Sequence, residues 1–98
     1  MKVERTSDFD NWLAGESPKI QALVEARIFR IQCYDHFGDA KYLQDGLSEL
    51  RWTNGMRVYF ARFSDRLVVL LNGGFKNAQK TDIKKARLLL RRYADNEA

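Results

Sequence analysis

Two early stretches repeat apolar residues at helical spacing, and a later stretch packs them at strand density. Phe9, Trp12 and Leu13 form an i, i+3, i+4 stripe over a short helix, with Ser7 or Asp8 as its cap and Gly15 at its end. Ser17-Pro18 then starts a second helix. Ser17 is its N-cap, and Pro18 takes the first helical position, where a missing N–H costs nothing. Ile20, Leu23, Val24, Arg27, Ile28, Ile31 and Tyr34 run down one side, and Gly38 stops the helix. Ahead of both, Lys2–Arg5 predicts a short strand with Val3 inward.

The period changes after that hairpin of helices. Leu47–Thr53 predicts a strand, and Asn54-Gly55 is a strong two-residue hairpin signal. Met56–Phe63 is rich in aromatic and β-branched residues. Ser64-Asp65 is a second turn, and Arg66–Asn72 is an almost unbroken apolar strand suited to the buried centre of a sheet. Gly73-Gly74 breaks it. Thr81 or Asn77 caps a last helix with Ile83, Ala86, Leu90 and Tyr93 on its buried face, and the final ADNEA is expected to fray. The order is β-α-α-β-β-β-α: an α+β fold with helices packed on one face of a small, twisted antiparallel sheet.

Composition limits the class. Ninety-eight residues, 45% hydrophobic, make one globular domain spanning 1–98. A single cysteine, Cys33, excludes an internal disulfide and a Cys-based zinc cage, and reads as a small packing residue. The start MKVERTSDFDNW has no apolar core of a signal peptide, and no run approaches a membrane span, so the expected location is the cytoplasm, with no membrane partner. Charge is one-sided. Residues 1–49 hold six basic and nine acidic side chains, net −3; residues 50–98 hold eleven basic and four acidic, net +7. Such a field attracts a polyanion or an acidic protein segment.

Five phrases in order carry a resemblance over nearly the whole chain: FDNWL at Phe9–Leu13, FGDAK at Phe37–Lys41, LSELR at Leu47–Arg51, MRVYF at Met56–Phe60 and GGFKNAQKTDIKKA at Gly73–Ala86. The chain resembles the RelE/ParE superfamily of bacterial toxins, and most closely its HigB-like, phage-derived addiction-module killer group. The resemblance implies a RelE-like fold and a cognate antitoxin, with ribosome and mRNA as target. It further implies mRNA cleavage without metal or other cofactor, in which the RNA's own 2′-hydroxyl attacks the phosphate. ParE-type relatives act on DNA gyrase instead, and an inactive antitoxin-binding module of prophage origin is a third possibility.

Such cleavage needs a base, cations for the phosphorane and an acid for the leaving oxygen. The resemblance implies that Lys, Arg and sometimes Tyr fill these roles. Arg57 matches the arginine after the hairpin and would clamp a phosphate with its planar fork. Lys76 matches the basic residue after the glycines, and Arg51 the basic strand residue before the hairpin. Lys80, Lys84, Lys85 and Arg87 are expected RNA contacts. Phe75 either stacks on a base or caps the core. His36 is either a base or a helix-end histidine. A two-residue turn would pair Thr53 with Met56 and Trp52 with Arg57, leaving Arg51 and Arg57 on opposite faces, so Arg57 with Lys76 is the preferred pair. Glu49 is two residues before Arg51 on the same strand face and is placed to pair with it. The antitoxin is expected to be a helix-turn-helix protein with an acidic contact segment, since this chain holds no such motif itself.

Overall fold

The computed structural model describes residues 1–97. The order is β1 (Lys2–Arg5), α1 (Ser7–Ala14), α2 (Pro18–Tyr34), β2 (Ala40–Gln44), β3 (Leu47–Arg51), β4 (Met56–Ser64) and β5 (Leu67–Phe75). A 3-10 turn at Lys76–Ala78 then leads into α3 (Gln79–Glu97). The α+β class holds. The strands form one sheet in the order β1-β5-β4-β3-β2, antiparallel except for β1, which runs parallel to β5.

The helices do not share one face. Leu50, Met56, Val58, Phe60, Val68 and Leu70 pack against Phe9, Leu13, Val24, Ile28 and Ile31 of α1 and α2. The alternate residues Leu47, Tyr59, Ala61, Val69 and Leu71 pack against Ala86 and Leu89 of α3. Both faces of the sheet are therefore covered, which is why the interior strand β5 reads as an almost unbroken apolar run.

Ser17 caps α2 by accepting from the Ile20 N–H at 3.2 Å, with Pro18 at the first position as expected. The cap of α1 is Thr6, not Ser7 or Asp8. Its Oγ1 accepts from the Phe9 N–H at 3.0 Å and donates to the Leu71 carbonyl at 2.6 Å, tying α1 to β5. α2 ends at Tyr34, with Asp35 left-handed at φ 54°, before Gly38 is reached. Leu23, Cys33 and Tyr34 are exposed rather than packed. Neither Thr81 nor Asn77 caps α3; both lie inside the turn and helix that begin at Lys76. The segment 94–97 is helical, and Ala98 lies outside the described residues.

The edge strand β2 was not expected. It pairs with β3 through the two-residue turn Asp45-Gly46, both at positive φ (53° and 83°), the backbone that a tight hairpin requires. Gly73 and Gly74 do not break β5. They lie inside it and let helices approach: a Cβ on Gly73 would stand 2.5 Å from the Trp12 ring, and one on Gly74 1.9 Å from Asp82 Oδ2. Among the described residues, no helix is long and apolar enough to cross a membrane.

Candidate functional site

The hairpin register decides which side chains meet. Its loop holds three residues, Thr53, Asn54 and Gly55, not two. It is closed by Trp52 N–H to the Met56 carbonyl and Gly55 N–H to the Trp52 carbonyl, both 3.1 Å, with Gly55 at φ 92°. Asn54 Oδ1 accepts from the Met56 N–H at 2.9 Å. The extra residue shifts the pairing by one and changes the face of every side chain on one strand relative to the other. Arg51 therefore stands directly opposite Arg57, and Gly74 flanks Arg57 on the other side. The expected separation of the two arginines is overturned by that loop.

Two like charges at facing positions repel unless each is compensated. Arg51 Nε lies 3.7 Å from Asp39 Oδ2, and Arg57 Nε lies 3.5 Å from Glu49 Oε2. Glu49 thus pairs with Arg57, not with Arg51. Arg57 is only 9% exposed and Glu49 only 2%. Arg57 Nη1 donates to the carbonyls of Met56 at 3.0 Å and Trp52 at 3.4 Å. Nε, although buried, and Nη2 make no hydrogen bond among the described residues. Gln79, in the first turn of α3, donates from Nε2 to Glu49 Oε1 at 3.0 Å.

Two residues further along β4, on the same face, Tyr59 pairs with Asn72. Burial, together with the Glu49 and Asp82 carboxylates, pushes the Tyr59 phenol above its usual range, although Arg57 pulls it back somewhat, so it stays neutral. Its hydroxyl and Asn72 Oδ1 are buried without a hydrogen bond among the described residues. Asn72 Nδ2 donates to the Asp82 carbonyl at 3.1 Å. The Asp82 carboxyl sits over Gly74, and burial raises it against the pull of Lys85. Sequence reasoning missed the parts of Glu49 and Asp82. The readable signal was a carboxylate at an inward position of a core strand, and another three residues into α3.

Lys76 opens the 3-10 turn and is exposed. Its Cβ lies 3.6 Å from the point where a Cβ on Gly55 would stand, so it flanks the β3–β4 loop at the same end of the sheet as Arg51 and Arg57. Lys80, Lys84 and Arg87 line one groove of about 320 Å³ with Thr81 and Ile83. Arg87 Nη1 also donates to the Gln44 carbonyl at 3.2 Å. Lys85 is on another side of α3 and pairs with Asp8 at 3.4 Å. Phe75 pairs with Met56 and packs against the core under α1 and α2, on the face opposite Arg57. His36 is exposed in the loop after α2, the helix that packs on that opposite face. Among the described residues, no three His, Cys, Asp or Glu side chains gather to hold a metal ion.

A profile of the phage-derived Gp49-like proteins matches residues 11–94. An uncharacterized protein of Haemophilus influenzae is 41% identical over 92 residues, covering 91% of this chain and 92% of that protein. Two solved structures share the fold. One is a RelB–RelE antitoxin–toxin complex from Methanococcus jannaschii, with TM-score 0.66, 11% identity and coverage of 80% of this chain and 95% of that one. The other is the toxin–antitoxin complex RelBE2 from Mycobacterium tuberculosis, with TM-score 0.63, 23% identity and coverage of 76% and 95%. The fold is thus RelE-like, and the chain belongs to the phage-derived Gp49-like family.

Proposed function

We propose that this protein is the toxin of a type II toxin–antitoxin pair and cuts mRNA on the ribosome, in the manner of HigB-like killers. The observation that carries the reading is the facing pair Arg51 and Arg57, with Gly74 beside Arg57 and Lys76 on the adjoining loop. In this reading the RNA 2′-hydroxyl attacks the neighbouring phosphorus and the bond to the 5′-oxygen breaks, that oxygen taking a proton from water as it leaves, which gives a 2′,3′-cyclic phosphate and a 5′-hydroxyl. Arg57 Nη2, Arg51 and Lys76 hold the phosphate oxygens and offset the charge that grows on them. Asp82, whose carboxyl sits over Gly74 beside Arg57 and is raised by burial, is the group proposed to accept the 2′-hydroxyl proton. Lys80, Lys84 and Arg87 extend the cationic surface along α3 for flanking phosphates or ribosomal RNA. A cognate antitoxin with an acidic segment would cover the same surface.

The engagement of Arg57 by Glu49 and two carbonyls favours a second reading, a protein-binding module without chemistry. Such a module would act on gyrase or merely hold an antitoxin. Inducing the chain in cells separates the two. The nuclease reading expects growth arrest with mRNAs cut within translated codons. Arrest with intact mRNA and blocked supercoiling by gyrase would contradict it.

A further inference from the structure

We infer that Glu49 is the positioning residue that holds Arg57 directly, and the Lys76 segment through Gln79, in one fixed arrangement. The inference rests on the reading of Arg57 and Lys76 as phosphate-binding groups. Glu49 sits on β3 among core residues, between Leu47 and Arg51 on the face covered by α3. A leucine there would pack at lower cost, because a buried carboxylate must recover its lost hydration from partners. Both of its oxygens have one. Oε2 faces Arg57 Nε, and Oε1 accepts from Gln79. At 2% exposure, with both oxygens engaged, Glu49 has no access to a substrate, so it acts through its neighbours.

Those neighbours belong to two different elements. Arg57 is the second residue of β4, and Gln79 begins α3, three residues after Lys76. One carboxylate therefore registers the start of α3 against the start of β4. On the strand side its charge draws the Nε edge of the guanidinium, as an ion pair at 3.5 Å without a hydrogen bond, while the Met56 and Trp52 carbonyls take Nη1. Nη2 is what remains to meet a phosphate. The sheet alone does not set that orientation: Glu49 pairs with Tyr59, so it reaches Arg57 only along the diagonal of the ladder. On the helix side, the bond from Gln79 holds the turn that carries Lys76. Without Glu49 the two cations would keep their places in the chain and lose their mutual aim.

The full-length chain with Glu49→Gln or Gln79→Ala tests this. The first readout is the Arg57 Nε–H signal in ¹⁵N NMR. The second is cleavage of mRNA by the protein on purified translating ribosomes, split into kcat and KM. Both variants are expected to shift the Arg57 signal. Both are expected to lower kcat, by up to about 100-fold, with KM nearly unchanged, as misplaced groups do. If Glu49→Gln fails to fold, Gln79→Ala carries the test, because it removes a single half-exposed partner. Folded variants with an unmoved Arg57 signal and unchanged kcat would overturn the inference. Should the wild-type protein cut no mRNA while both variants still shift the Arg57 signal, the positioning role stands and the nuclease reading falls.

Discussion

Arg57 is both a structural ion and the proposed phosphate clamp, and the two roles separate by mutation. Arg57→Ala strands the buried Glu49 carboxylate and is expected to cost about 3–5 kcal/mol of stability, measured by urea unfolding. Pairing Arg57→Met with Glu49→Leu removes both charges and is expected to return stability close to wild type. Growth arrest would not return with it. Asp82 makes a second residue-level test. Its carboxyl is raised in the folded state by burial, above an ordinary value of 3.8, so folding favours its protonated form. Its contribution is therefore fully present below the unfolded value and is lost as pH rises through the folded one. Asp82→Asn has no proton to lose. Its Tm is expected to exceed that of wild type at pH 7, with the gap closing toward about pH 3. A gap that widens on acidification would show that the carboxylate, not the acid, is the form the fold prefers.

Elements were legible where short-range chemistry decides them, and obscure where packing across the sheet does. Ser17-Pro18 announced α2 because a hydroxyl cap and a proline act within one turn. β2 escaped notice because it is an edge strand with only Leu43 turned toward the core, although Asp45-Gly46 was the local sign of its hairpin. The Asn54-Gly55 hairpin was recognised but its loop was one residue longer than expected, and that single residue moved Arg51 to the same face as Arg57. Local propensity does not distinguish those loops; the pairing of Leu50 with Val58 under α1 and α2 does. Gly73-Gly74 looked like a strand end for the same reason, since the rings and carboxylates that need the space come from distant helices. Gly73→Ala drives a methyl into the Trp12 ring and is expected to cost about 1–3 kcal/mol in denaturant unfolding. Trp12→Leu in the same chain would recover part of that loss. Full stability of the single variant would mean that α1 is not seated on β5 as described.

At the scale of the whole molecule, the sheet is covered on both faces, and cations lie at its β3–β4 loop end and along α3. Arg51, Arg57 and Lys76 lie at the loop end, and Lys80, Lys84 and Arg87 line a groove on α3. The excess of positive charge in the second half of the chain was visible in composition; its division into the Arg51, Arg57 and Lys76 group, the groove along α3 and the separate Lys85–Asp8 pair was not. If the groove along α3 meets RNA, Lys80→Gln with Lys84→Gln should lower the slope of log affinity against log salt for single-stranded RNA by about 1.4, at about 0.7 per contact. An unchanged slope would assign that groove to a protein partner. The central claim, that the facing arginines and Lys76 promote attack by the RNA's own hydroxyl, is tested most directly by the ends the protein leaves on ribosome-bound mRNA. Wild type should yield 2′,3′-cyclic phosphate and 5′-hydroxyl ends, and Lys76→Ala or Arg57→Lys should yield few or none. Ends of any other chemistry, or equal cutting by the variants, would contradict it.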